Sequence, residues 1–269
     1  MPELPEVETT LRGIEPFLIG QTLESTVIRN GALRWPVSEQ VYTLANQPID
    51  TALRRGKYII VQFSSGALLI HLGMSGNLRL VEKNTLPQKH DHVDLILHSG
   101  KIIRLNDPRR FGCVLWSSNW RQHPLISTLG LEPLADEFNG RYLYLRARTR
   151  KIAIKQLIMD GRVLVGVGNI YANEALFLSG IDPRRSANRI SLTRMEHLAL
   201  TLKQVLTSAI EQGGTTLKDF VGSDGKPGYF KQQLNVYGRA GEPCVKCDNT
   251  LQEIKQNNRA TVYCSQCQA

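Results

Sequence analysis

The chain has 269 residues, 42% of them apolar, with a formal net charge of +9. That apolar content is enough to build true cores, in one large or two ordinary domains, and it excludes a disordered polyelectrolyte. The positive charge points to an anionic partner: nucleic acid, a membrane surface or an acidic protein. No apolar run is long enough to cross a bilayer, and the glutamates among the first eight residues do not read as a secretory leader, so a cytoplasmic protein without membrane attachment is expected.

In chain order, the first element is a helix. Val7, Leu11, Ile14 and Leu18 recur at helical spacing, and Pro5 suits its first turn. Short segments rich in β-branched residues follow: TLESTVIRN (22–30), KYIIVQF (57–63), ALLIHLGM (67–74), VDLILHS (93–99), KIIRL (101–105) and FGCVLW (111–116). Turn residues punctuate them, as in SSG, SGK and NDPRR, so an antiparallel sandwich or barrel is expected. From about residue 125 the pattern turns helical. Its clearest stretch is SLTRMEHLALTLKQVLTSAIEQGG (191–214), with Leu192, Met195, Leu198, Leu202, Val205, Leu206 and Ala209 on one face. Ser191 can cap its start, and Gly213 and Gly214 end it. The expected domains are 1–124, 125–235 and a small module over 236–269.

Several stretches can carry chemistry, each with a plainer alternative. RRGKYII (54–60) is either a solvated basic edge or a place where Lys57 meets phosphates. HLGMSGN (71–77) and NDPRRFGC (106–113) put Met74, Arg109 and Phe111 at loop tips. Such side chains mostly fold back onto a core, but minor-groove proteins insert them between base pairs. VGVGNIYANEA (165–175) opens a helix with glycines: a phosphate cradle with Asn169 as a donor, or a tight interhelical turn. In QNNRATVYC (256–264), Asn257 and Asn258 suit a hairpin turn with positive φ, which leaves Arg259 at the tip. The four cysteines 244, 247, 264 and 267 read C-x2-C, sixteen residues, C-x2-C. This spacing favours one structural zinc ion held by Cys244, Cys247, Cys264 and Cys267 over a pair of disulfides. Cys113, inside an apolar run, reads as a buried small hydrophobe.

Taken together, PELPEVE, the KY after the basic lip, HLGMSG, DPRRFG, GVGNIYANE, EQGGTT, SDGKPGYF, VYGR, GEPC and the terminal cysteines resemble the formamidopyrimidine-DNA glycosylase family over the whole length. The resemblance implies an α+β protein: an N-terminal β-sandwich flanked by helices, a helical domain with a helix–two-turn–helix element, and a terminal four-cysteine zinc finger. It implies a monomeric base-excision enzyme acting on double-stranded DNA that contains oxidised purines or abasic sites, cutting the strand by β,δ-elimination. Pro2, exposed once Met1 is removed, would be the nucleophile, and Glu3 the acid/base. Lys57 and Arg259 would supply protons to the two eliminations. Glu6, His71, Met74, His90, Arg109, Phe111, Arg150 and Asn169 would support the site or contact DNA, and a loop near 217–230 would cover the flipped base. Arg109, a pure donor, suits the acceptors of an orphaned cytosine.

A terminal amine has a pKa near 8 against about 10.4 for lysine, and proline's secondary amine gives an iminium with no N–H to lose. The helix dipole should lower that pKa while Glu3 and Glu6 raise it, a balance the sequence leaves open. Rival readings are the endonuclease VIII branch, which prefers oxidised pyrimidines, a catalytically silent zinc-stabilised DNA-binding protein, and an RNA-binding factor.

Overall fold

The computed structural model describes residues 1–213 and 234–269. These fall into two compact units: Met1–Ser127, and Thr128–Glu211 together with the C-terminal segment ending at Ala269.

The first unit opens with α1 (Leu4–Ile14), whose N-cap is Glu3. The Glu3 N–H donates to Glu6 Oε2 at 2.8 Å, closing a capping box, and Pro5 occupies the first turn, where its missing N–H costs nothing. Val7, Leu11 and Ile14 are buried in the core, and Leu18 joins them beyond a short turn at Glu15–Phe17. Eight antiparallel strands follow: β1 (Thr22–Ile28), β2 (Gln47–Arg55), β3 (Tyr58–Phe63), β4 (Gly66–His71), β5 (Asn77–Glu82), β6 (Asp91–Leu97), β7 (Lys101–Asn106) and β8 (Cys113–Ser117). Between β1 and β2 lies a one-turn helix, α2 (Glu39–Tyr42), and α3 (Pro124–Ser127) closes the unit.

The strand order is β5-β7-β6-β1-β2-β3-β4-β8. The β1–β2 ladder joins only Thr22 to Pro48 and Leu23 to Gln47, so the order breaks there into two four-stranded halves. Ile59, Val61, Leu68 and Ile70 of one half share a core with Leu78, Val93, Leu95, Ile103 and Leu105 of the other. This is the expected sandwich, with two strands, β2 and β5, that the apolar patterning does not single out.

In the second unit, α4 (Gly140–Ala147) is capped by Asn139, whose Oδ1 accepts the Tyr142 N–H at 2.9 Å. It is followed by α5 (Ile154–Ile158), α6 (Asn169–Leu178) and α7 (Leu192–Glu211). Gly140 is needed where α4 crosses α7, because a Cβ there would lie 2.2 Å from Glu196 Cα. Met195, Leu198, Leu202, Leu206 and Ala209 of α7 are buried as expected, whereas Leu192 is 39% exposed and Val205 only half-buried. Gly213, with φ +81°, lies just beyond the end of α7. A two-stranded ribbon, β9 (Gln252–Gln256) and β10 (Arg259–Tyr263), completes the unit.

Candidate DNA-processing site

In the first unit the amino terminus collects the predicted residues. Pro2 and Glu3 are buried, and the chain's amino group belongs here to Met1. Burial holds the pKa of that amine below its ordinary 8.0, Arg109 and Lys57 push it the same way, and Glu3 and Glu6 oppose them. For this amine the lowering influences prevail. Glu3, Glu6, Lys57 and Arg109 thus all lie within electrostatic reach of the terminus. Glu6 has no exposed surface. Its carboxylate accepts the Glu3 backbone N–H at 2.8 Å, a supporting task at the amino terminus.

Lys57 stands in the tight β2–β3 turn beside Gly56, whose φ is +59°. Arg54 fixes this turn to α1, donating through Nε to Glu8 Oε2 at 2.8 Å and through Nη1 to Gly56 O at 3.0 Å. His71 ends β4, with its ring 4.9 Å from that of Tyr58. Its Nδ1 accepts the Gly73 N–H at 2.9 Å, which leaves the proton of a neutral ring on Nε2. Burial, then Lys57 and Arg34, lower its pKa to about 4. His71 is therefore an uncharged Nε2–H donor at neutral pH. The sign is clear: an unfolded histidine protonates near 6.5, so stability falls as pH drops from 6.5 towards 4 and is unaffected above. An NMR titration should show the His71 ring neutral at pH 5.5 with Nε2 protonated, whereas a midpoint near 6.5 would remove the neutral-donor account.

Met74 and Phe111 are 38% and 46% exposed, on the β4–β5 and β7–β8 loops. The loops touch backbone to backbone: Gly73 has φ +69°, and a Cβ there would sit 2.4 Å from Gly112 N and the Phe111 carbonyl carbon. Asp107 Oδ2 accepts the Gly112 N–H at 2.7 Å, holding the second loop in shape. Arg109 Nε donates to Ser75 Oγ at 3.1 Å, and among the described residues its Nη groups make no hydrogen bond. The exposed Met74 and Phe111 have not folded back onto the core. His90 lies nearby in the chain fold, with φ +73° and its carbonyl bound by the Asp107 N–H at 3.0 Å. A cavity of about 330 Å³ is lined by Met1, Arg34, His71, Gly73, Met74 and Phe111.

Arg34 was not foreseen. Its guanidinium lies 4.5 Å above the Trp35 ring and its backbone N–H donates to Gly112 O at 3.1 Å, so the adjacent Arg-Trp pair was the available signal. Cys113 is fully buried and its thiol is pushed up to about 12 by that burial, which makes it the inert hydrophobe expected.

In the second unit, Asn257 and Asn258 have φ of +48° and +60°, and the hairpin they form places Arg259, exposed, at the start of β10. The ribbon is fixed by side chains from two helices. Asn169 Nδ2 donates to Ala260 O at 3.0 Å, and Asn173 Oδ1 accepts the Val262 N–H at 3.0 Å. Lys155, 2% exposed, donates to Ala260 O at 3.1 Å and Thr261 Oγ1 at 2.7 Å. VGVGN is indeed a turn between α5 and α6, and Asn169 commits one amide hydrogen to the ribbon. Arg150 is tied to Asp160 at 2.9 Å and remains about one-third exposed. Glu174, also unforeseen, accepts the backbone N–H groups of Asn235, Val236 and Tyr237 at 2.8 to 2.9 Å. The segment near 217–230 lies outside the described residues.

The four cysteine sulfurs lie within 4.8 Å of one another, with separations of 3.4 to 3.9 Å across three pairs. Zn–S bonds of about 2.3 Å set tetrahedral thiolates about 3.8 Å apart, whereas a disulfide needs about 2.05 Å. The set fits one structural zinc. Cys244 and Cys264 pack with Phe177 of α6, Val236, Leu251 and Val262, joining the metal module to the helices of its unit.

Three family descriptions align with this architecture: the formamidopyrimidine-DNA glycosylase N-terminal domain over residues 1–114, its H2TH domain over 129–221, and the zinc finger found in FPG and IleRS over 241–269. The chain belongs to the formamidopyrimidine-DNA glycosylase family. A formamidopyrimidine-DNA glycosylase of Alcanivorax borkumensis is 58% identical over 268 residues, covering all of both chains. The crystal structure of the MutM (FPG) protein of Thermus thermophilus matches with a TM-score of 0.88 and 35% identity, covering 99% of this chain and 98% of that one. A complex of the Lactococcus lactis Fpg with DNA containing an abasic site matches at 0.89 and 30%, covering 99% of each. Membership in this family sets the reaction class as glycosylase chemistry on oxidised bases in DNA.

Proposed function

We propose that this chain, after loss of Met1, excises oxidised purines from duplex DNA with the Pro2 nitrogen as nucleophile and then cuts the strand as an abasic-site lyase. The observation that carries this reading is the gathering of Glu3, Glu6, Lys57 and Arg109 around the amino terminus beside Pro2, where partial burial and the two cations lower the pKa of the Met1 amine. The neutral amine attacks C1′ of the damaged nucleotide. The base leaves with the glycosidic electron pair and takes up the proton that the nitrogen sheds on bonding to C1′. Glu3 then protonates the ring oxygen, and the nitrogen lone pair opens the ring to give an iminium between proline and the sugar. Because that nitrogen carries no proton, its positive charge persists and draws electrons as the 2′-proton departs and the 3′-phosphate is expelled. A second elimination expels the 5′-phosphate. Lys57 and Arg259 serve the two eliminations as proton donors.

His71, Lys57 and Asn169 hold phosphates around the lesion, with His90 and Arg150 on the flanking backbone. Met74, Phe111 and Arg109 fill the gap when the damaged nucleotide turns out, and the donors of Arg109 favour cytosine opposite. We place the protein in the cytoplasm as a monomer; among the described residues no helix is long and apolar enough to cross a membrane.

A side-by-side excision assay separates this from the pyrimidine-preferring branch. Release of 8-oxoguanine opposite cytosine should exceed release of thymine glycol by about tenfold or more, since a lost hydrogen-bonding match typically costs at least about 1.4 kcal/mol. Faster release of thymine glycol would overturn the purine assignment.

A further inference from the structure

The connection from β5 to β6 reaches well out from the core. Leu86 is 83% exposed and Lys89 is exposed as well. Such loops usually drift for want of buried contacts. This one is gripped by its main chain. Arg104 on β7 is 2% exposed, and its Nη1 donates to the carbonyl oxygens of Thr85 at 3.0 Å and Leu86 at 3.2 Å. The same guanidinium is held side-on by Asp94, with Nε to Oδ1 at 2.8 Å and Nη2 to Oδ2 at 2.9 Å. Asp91 Oδ2 accepts the Gln88 N–H at 2.7 Å. Asn106 Nδ2 donates to the Lys89 carbonyl at 3.1 Å and to Asp91 Oδ1 at 2.8 Å. The His90 carbonyl is bound in turn by the Asp107 N–H.

Arg79 and Arg29 complete the cluster, pairing with Asp91 and Asp94 at 2.5 and 2.6 Å. Asp94 feels burial raising its pKa, but the bonds from Arg29 and Arg104 outweigh it and hold the carboxyl below its ordinary value. Burying charges is an expensive way to stabilise a sheet face, since an apolar patch of equal volume serves as well or better. What the apolar patch could not do is hold the backbone of the loop.

We propose that Arg104 is a positioning residue for DNA binding: it fixes the loop from Thr85 to His90 so that Lys89 and His90 meet the nucleic-acid backbone in a preset geometry. The inference rests on the reading above that His90 faces DNA, and it adds Lys89 as a phosphate contact. An arginine is required because a planar fork can serve a carboxylate and two carbonyls at once, while an ammonium cannot.

The test measures affinity for a duplex carrying an uncleavable abasic-site analogue across a salt series, and single-turnover borohydride trapping at saturating abasic DNA. Arg104→Lys keeps a positive charge beside Asp94 and releases the loop. It should weaken binding about tenfold and make the log–log salt slope shallower by about one, while trapping at saturation stays within about twofold. A merely structural residue would not move the slope. Asn106→Ala removes the clamp on Lys89 and should shift both quantities the same way; if Arg104→Lys does not fold, this variant decides. A double change, Lys89→Ala with His90→Ala, sets the reference. If it weakens binding while the loop-releasing variants bind with unchanged affinity and slope, the positioning role is wrong and the DNA reading survives. If the double change itself binds normally, the loop does not contact DNA and the inference falls with that contact.

Discussion

Pro2→Gly should bind an abasic-site duplex as tightly as the unsubstituted chain, yet its borohydride-trapped adduct should form on the order of 100-fold more slowly. Binding survives because the residues assigned to phosphates, Lys57 and His71, are placed by the β2–β3 turn and the end of β4 rather than by the residue at position 2. Trapping suffers for two reasons. A glycine amine gives an imine that must be protonated to act as an electron sink, whereas a proline iminium is charged without it. Glycine also adds backbone freedom immediately before the Glu3 cap, so the nitrogen is less often aimed at the sugar. The pH profile has a predicted sign as well. Partial burial, Arg109 and Lys57 lower the pKa of the Met1 amine, and the Pro2 nitrogen freed one residue further on meets the same cations. The trapping rate should therefore climb with pH and level off below the ordinary range of a terminal amine. Undiminished trapping by Pro2→Gly would mean that another amine attacks.

Removing zinc should have the second large effect, a loss of duplex affinity on the order of 100-fold with the N-terminal sandwich intact. Cys244 and Cys264 are fully buried among Phe177, Val236, Leu251 and Val262. Four thiolates gathered within 4.8 Å repel each other without a cation between them, so the knuckles should separate when the ion is withdrawn. The ribbon carrying Arg259 spans the interval between the two cysteine pairs and would lose its frame. Chelation with metal analysis, checked by circular dichroism and a binding titration, measures this. Metal-free protein with unchanged affinity would refute the role given to the Arg259 hairpin.

Features carried by local chemistry were legible in the sequence. The cysteine spacing declared a tetrahedral thiolate set, Asn257 and Asn258 declared a turn with positive φ, and the stripe from Met195 to Ala209 declared a long helix. Strand β2 was hidden because its apolar residues are sparse, with Ile49 and Ala52 its buried hydrophobics, and β5 because its alternation is short. In the candidate site, residues that sit in unusual local strings, such as Pro2, Met74 and Phe111, stood out. Their supports did not. Lys155 grips Ala260 across 105 positions, and Arg104 grips loop carbonyls 18 and 19 positions away. Such pairings depend on which strands and helices become neighbours, and no spacing rule within one segment encodes them. Glu6 is a local case, since its carboxylate caps the helix three residues from Glu3.

The central claim is that the nitrogen of Pro2 forms the covalent link to DNA. The most direct measurement is the intact mass of the borohydride-reduced adduct, followed by peptide mapping. The account predicts one deoxyribose-derived remnant on a terminal peptide that begins at Pro2 and lacks Met1. A remnant on Lys57 or any other lysine, or on a chain that still carries Met1, would contradict it.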